Sequence, residues 1–95
     1  MTQVEARVPT TSGSKYVQQL CKHWSHKLPV EFEGDTGVVT FDGAVATMKA
    51  GPEAIDVSVR GEDRELLERL KDVVAQHLDR FAFREAPLTY DWVWA

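Results

Sequence analysis

The residues most able to do chemistry are concentrated in residues 21–27, which contain the only cysteine, a tryptophan and two of the three histidines. His23 and His26 are three residues apart, so on a helix their rings could share a metal ion. Cys21 points to a different side of that helix and cannot join His23. Two ligands are too few for a structural zinc site, and a third, such as His77 or a carboxylate, would have to reach them. The sequence therefore predicts no bound zinc or iron.

The same segment also has simpler interpretations. His26 and the nearby lysines are typical of a solvated helix flank, and a lone cysteine on an apolar stripe usually packs as a small hydrophobic residue. The sequence contains no asparagine, which excludes a Cys-His-Asn apparatus, whereas Cys-His-Asp remains possible on composition. A small enzyme that uses Cys21 or His77 as nucleophile or base is thus one alternative.

A second group of candidates occupies residues 77–85. His77 falls on the apolar stripe of a predicted helix, where an imidazole is expected to be mostly buried and hydrogen-bonded. Arg80 and Arg84 are four residues apart and flank that stripe. They either pair with Asp or Glu side chains or converge with His77 on an anion or small acid. The candidate ligand-binding residues are therefore His23, His26, His77, Arg80 and Arg84.

Composition narrows the possible functions. The 95 residues predict one domain spanning 1–95, with 43% hydrophobic and 27% charged residues. The formal charge of −4 is the wrong sign for a partner with a phosphate backbone, so no nucleic acid is expected. Glycine-rich dinucleotide or phosphate loops, His-Glu-x-x-His and Gly-x-Ser-x-Gly do not occur, and no cofactor is predicted. Residues 1–29, with four basic and one acidic side chain, form a basic segment that could orient an acidic partner.

Cysteine usage and hydropathy indicate the compartment. A single cysteine cannot build an intramolecular disulfide framework. The first fifteen residues lack the apolar run of a signal peptide, and nowhere do about 18 apolar residues follow one another. We expect a cytoplasmic protein that does not associate with a membrane.

Alternation and helical periodicity predict the elements that position these residues. An alternating strand ends at Pro9, hydroxyl residues 10–12 offer an N-cap for a first helix, and Pro29 ends that helix. Short alternating segments follow, and the acidic residues 62–63 open a second helix that runs to about Arg84. The order β-α-β-β-β-β-α predicts an α+β two-layer sandwich, an antiparallel meander of four or five strands with both helices on one face.

The strongest local signal is the dipeptide Asp42-Gly43 between two alternating segments. A two-residue loop of this type is typical of a β-hairpin. It predicts that Phe41 lies opposite Ala44, and it fixes the rest of the register. Four residues then share the sheet face away from the helices: Val38, Thr40, Val45 and Thr47.

The C-terminal tail, residues 88–95, alternates again and contains three of the nine aromatic residues. An extended tail would present Leu88, Tyr90, Trp92 and Trp94 along one side. We therefore expect residues 88–94 to run extended against the uncovered sheet face, either in their own chain or in a second copy. The exchanged arrangement would make a homodimer through residues 88–95.

Several segments together resemble domain of unknown function family 2218, a family of small bacterial proteins. They are Val8-Pro9-Thr10, the run Tyr16 to Lys27, the run His77 to Glu85, and Trp92, so the likeness spans nearly the whole chain. Such domains occur alone or attached to siderophore-interacting, flavin-dependent ferric reductases. The resemblance implies a role near iron uptake and a ferric reductase as a possible partner, and it assigns no activity to any residue.

Three hypotheses follow. The first is a non-catalytic binding or accessory module, linked to siderophore and iron metabolism, that acts where the His23 flank of one helix meets the Arg80 side of the other. The second is a self-associating structural domain with an exchanged aromatic tail. The third is the small enzyme that uses Cys21 or His77.

Overall fold

The computed structural model describes residues 2–95 as one antiparallel sheet with two helices. In chain order the elements are β1 (Thr2–Pro9), α1 (Gly13–Trp24), β2 (Val30–Glu33), β3 (Thr36–Phe41), β4 (Ala44–Ala50), β5 (Ala54–Gly61), α2 (Arg64–Phe81) and β6 (Val93–Trp94). The spatial order of the strands is β2-β3-β4-β5-β1-β6. The predicted α+β class is confirmed. The sheet has six strands rather than four or five, because Val93–Trp94 pairs with β1 at one edge.

The hairpin between β3 and β4 has the predicted register. Phe41 pairs with Ala44 and Val39 with Ala46, and Gly43 takes a φ of 89° in the turn. A positive φ of this kind favours glycine, which has no Cβ to clash with the backbone. The register directs Val39 and Ala46, both fully buried, toward the helices.

The core lies between the sheet and both helices. Helix α1 packs mainly over β3 and β4, and α2 packs over β5 and β1. The largest fully buried side chains come from both layers: Leu20, Met48, Ile55, Leu67 and Leu78. Burying each contributes about 1.5–3 kcal/mol, so the layers are held together chiefly by apolar contact.

Helical periodicity puts Trp24 and Phe81 on the apolar stripes of their helices and so predicts that both lie in the core, but the two side chains differ in burial. Trp24 is only 5% exposed and belongs to the core, as predicted. Phe81 also packs against the core, as predicted, but it is only partly buried and lies at the rim. The reason is that α2 ends at Phe81, which leaves the ring at the margin of the helix pair.

Both helices end earlier than the sequence predicts. The backbone amides of Lys27 and Leu28 donate to the carbonyl of Trp24 at 2.9 and 2.8 Å, which forms a turn several residues before Pro29. Helix α2 ends at Phe81, and the amides of Glu85 and Ala86 then donate to the carbonyl of Ala82. Turns, rather than the next proline, therefore end both helices.

The helix starts depend on neighbouring side chains. The Asp63 carboxylate caps α2 by accepting from the amides of Glu65 and Leu66. At the start of α1, Ser12 occupies the N-cap position without a side-chain capping bond. Its amide instead donates to Thr10 Oγ1 at 3.1 Å, so a hydroxyl outside the helix orients the first turn.

The tail is extended and packed, but its location was wrongly predicted. Residues 93 and 94 pair with Glu5 and Val4 of β1, and the preceding residues run along α2 on the helix side of the sheet. They do not cover the outward face, where Val38, Val45 and Thr47 are half-buried and Thr40 is exposed. The difference arises because α2 supplies hydrogen-bond partners for the tail, whereas alternation specifies only that one side of it is apolar. Exchange of the tail between two copies stays a prediction.

Neither helix within residues 2–95 is long and apolar enough to cross a membrane.

Candidate functional site

Two imidazoles face each other where α1 packs against α2. The ring centroids of His23 and His77 are 5.7 Å apart, and the Phe81 ring lies 5.9 Å from His23. The buried Trp24 ring lies 4.8 Å from His77 and supports it from the core side. We call His23, His77 and Arg80 the helix-seam site.

His77 has a defined tautomer in this setting. Its Nδ1 lies 2.7 Å from the carbonyl oxygen of Val73, one helical turn earlier. A carbonyl can only accept, so Nδ1 carries the proton and Nε2 keeps a lone pair when the ring is neutral. The predicted hydrogen bond is thus present, although the side chain is only partly buried.

Positive and titratable groups surround His23. Partial desolvation, followed by the proximity of His77, Arg80, Lys27 and His26, lowers the pKa of the His23 imidazole below its ordinary value of 6.5. All four neighbours are cations or bases, so a proton on His23 adds to existing positive charge. The helix-seam site is therefore a local basic surface on a chain with net charge −4.

Arg80 and Arg84 do not form the ion pairs that one interpretation of the sequence predicts. The ion pairs among residues 2–95 join Arg7 to Asp56 and Lys71 to two neighbouring carboxylates. Arg80 is exposed on α2. Arg84 lies beyond the helix end, with its guanidinium 5.7 Å from the Phe83 ring. The two arginines therefore do not flank one helical stripe as predicted.

The five predicted ligand-binding residues are brought together only in part. His23 and His77 meet at the seam between the helices, and the charges of Arg80 and His26 both act on the His23 ring, although His26 is exposed in the turn after α1. The prediction that His23 and His26 lie one turn apart on the same helix is consequently wrong, because α1 ends at Trp24. Within residues 2–95, no group of three or more His, Cys, Asp or Glu side chains is placed to hold a metal ion. The absence of bound metal stays a prediction, which elemental analysis after gel filtration would test.

Cys21 lies on the sheet side of α1 and packs against β3. It is 3% exposed, and burial raises the pKa of its thiol to about 11. The sulfur is therefore protonated at neutral pH, which makes it a poor nucleophile. A Cβ at Gly37 would overlap Cys21 Sγ and approach Val17 Cγ1 to 3.2 Å. The Cys21 sulfur thus occupies the space that Gly37 leaves open by having no side chain.

This contact predicts a coupling between the two positions. We expect Gly37→Ala to lower the free energy of unfolding by about 1–3 kcal/mol, because the added methyl group overpacks the core. In a Cys21→Ala background the same substitution should cost less, since removing Sγ opens space for it. Urea denaturation of the four proteins in this cycle measures the difference. An equal cost in both backgrounds would contradict the contact.

Comparison with known proteins identifies the family. A family model described as an uncharacterized protein conserved in bacteria, DUF2218, matches residues 5–93. The chain belongs to the DUF2218 family. The match includes both helices and therefore the whole helix-seam site, as the resemblance seen in the sequence implies.

A solved structure has the same fold as this DUF2218 protein. The NMR structure of PA4090 from Pseudomonas aeruginosa is 32% identical in sequence and superimposes with a TM-score of 0.81. The alignment covers 100% of this chain and 96% of that chain. No curated protein matches the chain.

Sequence reasoning missed a polar cluster that ties the segment after α2 of this DUF2218 protein to α1. The Glu85 carboxylate accepts hydrogen bonds from Thr10 Oγ1, at 3.0 and 3.1 Å, and from the Tyr16 hydroxyl. The hydrogen bond to Glu85, together with desolvation and the nearby carboxylate charge, raises the pKa of Tyr16. A buried tyrosine hydroxyl requires a partner, which is the one signal available in the sequence. The acceptor, 69 residues away, could not be identified from it.

A second polar cluster of the DUF2218 protein holds the tail. Asp79 Oδ1 accepts from the backbone amide of Leu88 at 3.0 Å and lies 3.0 Å from the Tyr90 hydroxyl. The same hydroxyl lies 3.0 Å from the carbonyl oxygen of Ala75. Burial, followed by the charge and hydrogen bond of Asp79, raises the pKa of Tyr90, so the phenol stays protonated. Asp79 thus anchors the tail to α2.

Proposed function

We propose that this protein is a cytoplasmic, non-catalytic binding module for an anionic ligand or partner in siderophore-linked iron metabolism, and that it binds through the helix-seam site. The observation that carries the proposal is the convergence of His23 and His77 from two helices beside Arg80, whose guanidinium has no ion-pair partner within residues 2–95. The guanidinium fork of Arg80 and an N–H of the His23 imidazole are suited to carboxylate or catecholate oxygens.

The openness of the surface supports binding rather than catalysis. Arg80 is exposed and both imidazoles are partly exposed, so water reaches all three groups. Acid–base and nucleophilic catalysis usually require a site from which water can be excluded. The buried thiol of Cys21, with its raised pKa, also favours the binding module over the alternative that uses this residue as a nucleophile.

The iron-related part of the proposal rests on the resemblance between this chain and domains that occur attached to siderophore-interacting ferric reductases. Ferric complexes of catecholate and carboxylate siderophores are oxygen-rich anions, and a basic patch on an acidic protein attracts such ligands. The same patch could orient an acidic surface of a ferric reductase. A siderophore complex and an acidic protein surface would both bind through negatively charged oxygens, and a defined anionic probe tests for binding of this kind.

We expect an anionic ferric triscatecholate to bind, and a neutral ferric trihydroxamate to bind more weakly, in calorimetric titrations. Arg80→Gln should weaken binding of the triscatecholate about tenfold, as expected when a charged hydrogen bond is lost. Arg60→Gln is the matched control, because Arg60 is an exposed arginine on the opposite face of the sheet. Equal weakening by both substitutions would reduce the interaction to nonspecific attraction.

The pH dependence gives a second readout at the same site. His23 has a lowered pKa in the free protein, so its ring is neutral at pH 7. A bound anion stabilises the protonated ring, and affinity should therefore rise as the pH falls from about 7.5 to about 5.5. His23→Gln should remove most of this rise. A rise of the same size in that variant would show that His23 does not contact the anion.

Self-association through residues 88–95 is a second candidate function. The observation that favours it is the exposure of residues 83–87 between α2 and the tail, a connection that could act as a hinge once the Glu85 hydrogen bonds to Thr10 and Tyr16 open. The Asp79 anchor and the β1 edge could accept the tail of a second copy as well as their own, which is the usual basis of domain swapping.

A further inference from the structure

Strand β2 is the last strand at one end of the sheet and leaves backbone groups open. The Thr40 amide donates to the carbonyl of Pro29 at 3.0 Å, which makes these two residues a hydrogen-bonded pair. Hydrogen-bonded and non-hydrogen-bonded pairs alternate along an antiparallel ladder. Val30 and Phe32, which are paired with Val39 and Gly37, therefore direct their N–H and C=O groups away from β3.

The two faces of this edge differ in chemistry. On the helix side, Val30 and Phe32 join Cys21 and polar residues of α1 in lining a groove of about 520 Å³. Phe32 is 37% exposed, an unusual position for a large apolar side chain. On the outward side, Glu31 and Glu33 are both exposed. An additional strand would thus meet an apolar groove on one face and two carboxylates on the other.

The charges argue against a second copy of this chain as the occupant. Antiparallel pairing of β2 with itself would place Glu31 and Glu33 beside the same two residues of the partner on one face. Like charges opposite each other on neighbouring strands are destabilising, and charged edges are a common protection against self-pairing. The edge therefore selects for an occupant with the opposite charge.

We propose that β2 binds an extended segment of a partner protein in which apolar and basic residues alternate. The segment adds a strand by pairing with the open backbone groups of Val30 and Phe32. Its apolar side chains enter the groove, and its lysine or arginine side chains lie beside Glu31 and Glu33. Lys22, on the rim of the groove, disfavours the opposite phase, in which basic side chains would point toward α1.

A synthetic peptide that alternates valine and lysine tests this proposal on the full-length protein. We expect it to bind, and we expect the amide resonances of residues 30–33 to shift most on titration. Glu31→Gln/Glu33→Gln should weaken binding about three- to tenfold, in line with the loss of two exposed cross-strand charge pairs. Glu53→Gln/Glu62→Gln removes the same charge from exposed loop positions and should leave affinity unchanged.

Two further peptides separate strand addition from charge attraction alone. A valine–glutamate peptide should not bind. A valine–lysine peptide methylated on its valine nitrogens, which face Val30 and Phe32, should lose binding although its charge is intact. Equal binding of the methylated and unmethylated peptides, or no binding of the valine–lysine peptide, would refute the proposal. A dimer in light scattering that Glu31→Gln/Glu33→Gln strengthens would assign the edge to a second copy and also refute it.

Discussion

Replacing Trp24 with alanine is expected to lower the free energy of unfolding by about 3–5 kcal/mol, the range for loss of a large buried aromatic side chain. The Trp24 ring packs edge-on against the Phe41 ring, with the ring centroids 5.3 Å apart, and its centroid lies 4.8 Å from that of His77. The side chain is almost fully buried. Removing it leaves a cavity between α1, α2 and the sheet. Urea denaturation monitored by circular dichroism measures the effect without relying on tryptophan emission.

Two phenylalanine substitutions serve as comparisons for Trp24→Ala. Phe81→Ala should cost less than Trp24→Ala, because the Phe81 ring is already partly exposed. Phe83→Ala should change stability by no more than about 0.5 kcal/mol, because Phe83 is 71% exposed. A cost for Trp24→Ala below about 1 kcal/mol, similar to that of Phe83→Ala, would contradict the packing of both helices on one sheet face.

Deleting residues 88–95 is expected to lower the free energy of unfolding by roughly 3 kcal/mol or more. The deletion removes the buried Leu88 side chain and the hydrogen bonds of Leu88 and Tyr90 to α2. It also removes Trp94, whose ring lies 4.1 Å from the Arg64 guanidinium. Each 1 kcal/mol shifts the Tm of a domain of this size by about 4–8 °C, so the Tm should fall by about 12 °C or more.

The molar mass of the truncated protein tests the exchange of the tail. If two copies exchange residues 88–95, light scattering should show a dimer for the full chain and a monomer after the deletion. If each tail packs on its own chain, the mass per particle should correspond to a monomer in both cases. An unchanged Tm and an unchanged mass would together show that the tail is loose, in conflict with the Asp79 anchor.

The β3–β4 hairpin shows why much of the sheet could be predicted from the sequence. Its register depends on a two-residue turn and on alternation over a few neighbouring positions, and both are local properties of the chain. The fold class follows from the order of such local segments. The helix ends were less predictable, because short hydrogen-bonded turns end both helices before the prolines that mark the ends in the sequence. His26 and Arg84 were misplaced for this reason.

The candidate site also contains some features that local sequence patterns could predict and others that they could not. Helical periodicity was sufficient to separate Cys21 from His23, which lie on different sides of α1 in the structure. It was also sufficient to put His77 near the interface between the helices. Periodicity alone could not identify Glu85 as the partner of Tyr16, because that contact depends on how the segment after α2 turns back. Alternation in the tail likewise predicted an apolar side but not which surface would bury it.

The position of Trp24 gives the helix-seam site an internal fluorophore. Its indole ring lies in contact with His77, and the emission of an indole depends on the groups that surround it. The other two tryptophans, Trp92 and Trp94, lie in the tail and are removable by substitution with phenylalanine without changing residues of the seam. Emission from the remaining indole then responds to any molecule that contacts the ring pair at the seam. Occupancy of the site is therefore visible in dilute solution without an attached label.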